Sequence, residues 1–568
     1  LDITNTAYTS SGAADGLSAR FHWVITVALC AKLCLLLILA YNTQFVMDEF
    51  WQFGQSKYLG DGFFDTIWPA KAVGYAVFYK PAHWLGWDAP SSLLLGRLQT
   101  ALLAFGTLGL LFAIARALGQ TRLQALLVIV LVLSFSTFIE RIFRTRSEPL
   151  ALFFATAALY WVVSRDTERR KTILIAGCLS GLSFLATQKA VYFNFSLGLG
   201  LGVAALSRGG LIAALHQGAI LIAGWGIPVL VYCFVFGGWE AHTIFASLFK
   251  GPVEVATNGH SYYAGLETFY VQTVGRNLIP YLLAAFGLAI SAYKWRTLIP
   301  AQKIALISTS VMIVLIARHN QPWPYVFIMV IPFLTLWAPA TLDIMKGHKT
   351  GTKLIYMLWA VAILVSFIRN VSYIENDNRA GLEIMRQAES LLDPGETYFD
   401  GIGMLSNFRE SQRRWLDARQ VHIANSDGER SDVMTKLRAA PPHLIIDSYR
   451  TQNLSDLLRP LLEHSYVRIS PNIQVPGARI SNAREVTFNV PLEQEFGLFD
   501  KTGKPVQTTL LVEGRPVRVP FLLKPGPIRL RLDEGADWPL FLLPGHKTYS
   551  NLHLEMVPVP IFEGVYTF

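Results

Sequence analysis

The chain has 568 residues, 52% of them hydrophobic and only 16% charged, against the roughly 25% charged residues usual in soluble domains. That composition excludes a wholly soluble chain and describes a membrane protein with a soluble part attached. The net charge of +9 does not indicate nucleic acid, because the basic residues recur in short clusters between apolar runs and never form a dense block. Cys30, Cys34, Cys178 and Cys233 all fall in apolar runs, so the pattern predicts neither a disulfide framework nor a thiolate metal site.

Residues 1–21 are polar and small, and the apolar run after them reads as a retained first helix rather than a cleaved signal. Apolar runs cover 23–46, 91–115, 122–139, 149–164, 172–188, 191–207, 211–237, 279–293, 303–318, 323–345 and 353–369, which predicts a polytopic α-helical membrane protein of about eleven transmembrane helices. With the N-terminus cytoplasmic, the inside turns carry Arg116 and Arg122, then Arg165, Arg169, Arg170 and Lys171, then Arg208, and later Lys294, Arg296, Lys303, Lys346, Lys349 and Lys353, as the positive-inside rule requires. The other face then receives 47–90, 140–148, 188–190, 238–278, 319–322 and everything from 370 on. Those segments hold nearly all the acidic, histidine and amide residues of the membrane half, so its functional groups converge on one side. The 47–90 loop carries Trp51, Tyr58, Trp68, Tyr75, Tyr79, Trp84 and Trp87, the composition of helices lying in the interface with their rings at headgroup depth.

After Arg369 the pattern changes to that of a soluble region. An amphipathic helix is predicted over 379–392, strands at 397–400 and 444–447 and a second helix over 454–464, together a small α/β domain over 370–477. From 478 to 568, strands such as Val486–Val490, Thr508–Val512 and Ile528–Leu532 alternate with turn signals at Asp500-Lys-Thr-Gly503 and Glu513-Gly-Arg515, which predicts an antiparallel sandwich. The division expected is thus a membrane domain over 1–369, with the 47–90 and 238–278 loops, followed by these two domains.

Six groups of residues can carry chemistry. Asp48 and Glu49 end the first apolar run at the membrane surface; they suit a catalytic base and equally suit a plain helix end and cap. Glu140-Arg141-Ile-Phe-Arg144-Thr-Arg146-Ser-Glu148-Pro149 sets three arginines and two carboxylates at a membrane boundary, either as a local salt-bridge brace or as a seat for an anionic lipid headgroup. Lys80 precedes Pro81, which predicts extended backbone and an ammonium free to seek phosphate. Lys189, at the end of a span, reads as a second cation or a snorkelling side chain, and His260, Tyr263 and His319 supply further polar groups on the same face.

Together these residues resemble a known family. The Asp-Glu pair at 48–49, Lys80-Pro-x-x-Trp84-Leu, the Arg-x-Glu-Pro-Leu start of a span at Arg146 and Glu148, Gln188-Lys189 and the Pro324-Tyr325 to Pro332-Phe333 run are similar, in order and spacing over most of 45–335, to the aminoarabinose-to-lipid-A transferase and the protein O-mannosyltransferases. These are type-C glycosyltransferases that take one sugar from a polyprenyl-phosphate carrier. The chain differs at Glu148, where the family more often has Asp. The resemblance implies an inverting displacement in which Asp48 is the base, with Glu49 in reserve. It further implies that Lys80, Arg141, Arg144, Arg146 and Lys189 hold the donor phosphate and that Glu148, His260, Tyr263 and His319 orient the acceptor. A phosphate leaving group needs cations rather than a general acid. No Asp/His set shows the ligand spacing of a divalent ion, which leaves metal dependence open, with Glu148 and His260 the nearest candidates.

The expected partners are therefore a polyprenyl-phosphate sugar, a glycolipid or glycan acceptor such as lipopolysaccharide, and membrane lipid. The expected location is a bacterial inner membrane with site and C-terminal region in the periplasm. Three other readings stand beside this one: protein O-glycosylation, a flippase or transporter of an anionic lipid-linked sugar, and a non-catalytic scaffold. A transporter is expected to show internally repeated, broken helices, and the sequence has no such repeat. A scaffold needs few spans and no buried charge.

Overall fold

The computed structural model describes residues 11–59, 72–257, 268–319, 323–344, 349–411, 416–480, 485–532, 539–549 and 552. They form two compact units. The first comprises Leu1–Thr43, Trp68–Phe78 and Leu94–Asn376; the second comprises Gln44–Ile67, Tyr79–Leu93 and Asp377–Phe568. The contacts thus group two short pieces of the 47–90 segment with the C-terminal region, where composition had joined them to the membrane domain.

The first unit is helical. Among the described residues five helical stretches are long and apolar enough to cross a membrane, namely His22–Asn42, Ala89–Ala117, Gln188–Lys250, Pro300–Ala317 and Lys353–Glu375. The pair Thr268–Arg276 and Leu278–Tyr293, bent by 85°, makes a sixth if counted as one span. Arg122–Val132 and Ser147–Val163 are shorter apolar helices, as is Arg170–Ala186. The two runs predicted at 191–207 and 211–237 are the halves of Val191–Gly237, broken at Gly210 where φ is 72°, a conformation that glycine reaches without Cβ strain. Helix Arg170–Ala186 lies close against the second half. A Cβ at Gly177 would run into the Leu221 carbonyl, and one at Gly224 into that of Leu174, so small residues set the approach of the two backbones.

One predicted span is not a single helix. The run 323–345 is divided into Pro324–Phe327, Ile331–Thr335, Ala338–Ala340 and Thr341–Ile344. Pro324, Pro332 and Pro339 each sit in the first turn of a short piece, because proline lacks the N–H that would tie it to the preceding turn.

In the second unit, helices Met47–Lys57 and Arg379–Ser390 accompany a five-stranded sheet. Thr397–Phe399 pairs in parallel with Arg409–Glu410 and Leu444–Ile446, and Ile473–Pro476 and Tyr466–Ser470 complete the sheet antiparallel. The last strands form two four-stranded antiparallel sheets. Phe488, Val490, Leu510, Leu530 and Leu532 from one share a buried core with Ile480, Phe496, Leu498, Leu540 and Leu542 from the other, the face-to-face packing of a sandwich. The turn signals act as their chemistry dictates. Asp500 Oδ1 accepts from the Thr502 and Lys504 amides, and Glu513-Gly514, both with positive φ, make the two-residue link that matches strand twist.

The interfacial-ring expectation needs correction. Trp84 and Trp87 are exposed, but Trp51, Tyr75 and Tyr79 are buried; Trp68 lies outside the described residues. Once helix Met47–Lys57 packs in the second unit, its aromatic face becomes core.

Candidate functional site

In the first unit the cationic segment is folded back on itself. The short helix Ser136–Ile139 and the turns after it bring Arg141 Nη2 to 3.4 Å and Arg144 Nη2 to 3.8 Å from Glu140 Oε1, and Arg144 Nε donates to the Glu140 carbonyl at 3.0 Å. Arg146, extended at φ −128°, precedes helix Ser147–Val163. Glu148 stands in that helix's first turn, where the helix dipole favours an acid, and Pro149 is tolerated there because it has no N–H to lose.

Glu148 is the hub. Its Oε2 lies 3.1 Å from Arg146 Nε and its Oε1 2.8 Å from Lys189 Nζ. Lys189 arrives from the 3₁₀ turn Gln188–Ala190, which interrupts the chain between two helices after an extended Thr187. Both cations also address the Tyr325 ring, Arg146 Cζ at 3.9 Å and Lys189 Nζ at 4.2 Å from its centroid, an arrangement each worth roughly 0.5–2 kcal/mol. Trp323 stacks on Tyr325. Glu140, Arg141, Arg144, Arg146 and Glu148 are all buried. With Lys189 the group brings together four cations and two carboxylates, a concentration of basic side chains suited to an anion.

Nearby, His319 Nδ1 is 2.8 Å from the Tyr192 hydroxyl. Burial first, and the Lys189 charge second, lower its pKa from 6.5 to about 4, so the ring is neutral at physiological pH.

The second unit carries the acidic pair. Helix Met47–Lys57 buries every residue from Met47 to Ser56 except Asp48, which stays half-buried. Glu49 is turned inward, and its Oε1 accepts from the Val46 amide at 3.0 Å, satisfying a helix-start donor. Neighbouring residues on a helix point about 100° apart, so Glu49 turns inward while Asp48 does not. The helix is held from the side by the five-stranded region. Tyr449 Oη and Arg450 Nη2 contact Met47 Sδ, Lys57 Nζ donates to Asn407 Oδ1 at 3.2 Å, and Tyr58 Oη donates to the Phe408 carbonyl at 2.9 Å. A Cβ at Gly54 would sit 3.6 Å from the Gly403 carbonyl. The loop bearing Gly403 is stiffened by Asp400, whose carboxylate accepts from the Ile402, Gly403 and Met404 amides.

Lys80 corrects a sequence expectation. It opens the 3₁₀ turn Lys80–His83 instead of lying in extended backbone, since Pro81 fits a first helical turn. Its ammonium donates to the carbonyls of Lys57 at 2.5 Å and Leu59 at 3.2 Å, where the Asp48 helix ends and carbonyls lack partners. His83, three residues on, lies 2.7 Å from Ser56 Oγ and 3.1 Å from the Phe53 carbonyl and packs on the Phe53 ring.

Sequence reasoning passed over two of these residues. His83 was visible only as part of the Lys80 motif. Arg97, wholly buried, donates to the Ala40 and Thr43 carbonyls at 3.3 and 2.6 Å and so closes the end of the first span; an arginine inside an apolar run was its signal. His260 and Tyr263 lie outside the described residues. Glu148 does not suit a divalent ion, because its two oxygens already face two cations. Among the described residues Asp393, Glu396 and His546 can converge as metal ligands, but Lys547 Nζ occupies that cluster at 2.6 and 3.0 Å from the two carboxylates.

Known proteins match this chain mainly by structure. Two domains of unknown function match its C-terminal region, DUF7056 over residues 423–475 and DUF7055 over 478–544. No curated protein matches the sequence. Among solved structures, ArnT from Cupriavidus metallidurans in the apo state aligns over 82% of this chain and 98% of its own, at 14% identity and a TM-score of 0.52. The same protein bound to undecaprenyl phosphate aligns over 81% and 98%, at 13% identity and a TM-score of 0.53. AglB, an oligosaccharyltransferase from Archaeoglobus fulgidus in complex with an inhibitory peptide and a dolichol-phosphate, aligns over 96% and 99%, at 10% identity and a TM-score of 0.49. The chain therefore shares the type-C glycosyltransferase fold of ArnT, and the resemblance first drawn from short motifs extends to the architecture.

Proposed function

We propose that the protein is an integral membrane glycosyltransferase that moves a single sugar from a polyprenyl-phosphate carrier to an acceptor on the periplasmic side of a bacterial inner membrane. The observation that carries this reading is the Glu148 cluster, buried, rich in cations and built at a helix start within an ArnT-like fold. Arg141, Arg144, Arg146 and Lys189 are assigned to the donor phosphate, neutralising the charge that develops as the carrier leaves. Asp48 is assigned as the base that takes the acceptor's hydroxyl proton, and direct attack inverts the anomeric centre. Lys80 is assigned to holding the end of the Asp48 helix. Lipopolysaccharide, as lipid A or core, is the acceptor class this reading favours, and the divisions at 369/370 and 477/478 are retained as the domain boundaries.

The test is transfer from a synthetic undecaprenyl-phosphate sugar to extracted glycolipid by purified protein, with mass spectrometry of the product. Wild type is expected to add one monosaccharide and Asp48→Asn to add none while keeping the wild-type melting temperature. Undiminished transfer by Asp48→Asn would remove that residue from the mechanism. Movement of the donor across vesicles without product would replace the enzyme with a transporter.

A further inference from the structure

Beside the Glu148 cluster lies His319, one of whose buried ring nitrogens has no hydrogen-bond partner among the described residues. His319 follows the span Pro300–Ala317, and the carbonyls of Ile316, Ala317 and His319 all lie within 3.4 Å of the Tyr270 hydroxyl, which fixes the backbone at this corner. The His319 ring meets Tyr192 edge-on, with centroids 5.5 Å apart. Among the described residues the Tyr192 hydroxyl has one hydrogen-bond partner, His319 Nδ1. A phenol has a single proton to donate and, among the described residues, a single place to put it, which makes Nδ1 the acceptor. A neutral imidazole that accepts at Nδ1 carries its proton on Nε2. His319 Nε2 is buried and without a hydrogen-bond partner among the described residues.

An orphaned N–H at such a place costs free energy unless a ligand accepts from it. Burial first, and the Lys189 charge second, keep this imidazole neutral, so the N–H can bind an anion without adding a charge that would repel Lys189. We propose that His319 donates through Nε2–H to the phosphate held by Arg146 and Lys189, with Tyr192 fixing the tautomer. It is thus a phosphate-binding residue, in place of the acceptor-orienting role expected from sequence. This inference rests on the donor-phosphate reading and adds to it a neutral donor and the residue that sets that donor's proton.

The experiment measures binding of undecaprenyl phosphate and, separately, of inorganic phosphate to the full-length protein in nanodiscs. His319→Leu is expected to weaken both by roughly ten- to a hundredfold, the worth of one hydrogen bond to a charged group. His319→Gln, which keeps an N–H, is expected to stay within about threefold of wild type, and Tyr192→Phe to fall between them. Unchanged affinity of His319→Leu for both probes would overturn the proposal. So would equal losses in the Gln and Leu variants with a matching fall in melting temperature, which marks a packing role. Wild-type protein that binds inorganic phosphate but not the lipid would remove the carrier reading and leave the His319 comparison to be decided on phosphate alone. Binding of neither probe would remove both.

Discussion

Lys189 Nζ stands 2.8 Å from Glu148 Oε1 across 41 positions of chain, and this one ion pair joins the 3₁₀ turn at the end of one apolar helix to the start of another. It also fixes where the Arg146 guanidinium points, because both cations share the same carboxylate and the same aromatic ring.

Removing that carboxylate has a definite outcome. Glu148→Gln removes the carboxylate that faces both the buried Arg146 and the partly buried Lys189, and is expected to destabilise the protein by roughly 3–5 kcal/mol, less whatever water recovers at the lysine. Thermal unfolding in detergent checks the loss. Inorganic phosphate is expected to restore part of the melting temperature in the variant, and no restoration would mean that the cluster does not seat an anion.

The adjacent acids at the start of the Met47–Lys57 helix are expected to fail in different ways. Glu49→Gln weakens the contact with the Val46 amide and is expected to cost about 1 kcal/mol of stability with transfer largely retained. Asp48→Asn is expected to do the reverse. Measuring transfer rate and melting temperature on both proteins separates the two roles, and an inactive but stable Glu49→Gln would exchange the assignments.

His83 makes a pH-dependent contribution whose sign follows from its environment. Burial first lowers its pKa from 6.5 to about 4, against the raising effect of the Phe53 carbonyl and with Lys57 and Lys80 acting in the same direction as burial. Between those values the unfolded chain binds a proton that the folded one does not, so stability rises with pH across that window. The contribution is complete above pH 6.5 and is lost as pH falls toward 4. His83→Phe, which keeps the stacking on Phe53, is expected to flatten this slope. His319 shifts in the same direction, so the difference between wild type and variant isolates His83. Equal slopes in the two proteins would show that His83 does not titrate differently on folding.

Much of the architecture was legible because it rests on local periodicity. Apolar runs predicted at 91–115, 172–188 and 303–318 are the helices Ala89–Ala117, Arg170–Ala186 and Pro300–Ala317, and the alternating run Val486–Val490 is a strand with those bounds. The run 323–345 was misread because mean apolarity does not register that three prolines deny the helix its hydrogen bonds. Lys80 was misread because the preference of a residue before proline for extended backbone is weak beside the carbonyls left open at the end of Met47–Lys57.

From its own order of residues this protein determined which stretches are apolar enough to span, where the chain turns at Asp500–Gly503 and Glu513–Gly514, and that three arginines and two carboxylates crowd one membrane boundary. These follow from short-range properties, side-chain period and backbone preference, that each segment carries by itself. Tertiary structure alone decided that Glu49 faces inward while Asp48 keeps its exposure, that Lys189 rather than another lysine reaches Glu148, and that Lys80 is spent on carbonyls. Those pairings depend on which distant surfaces the packed core brings within hydrogen-bond reach, and a linear pattern of charges does not contain that distance.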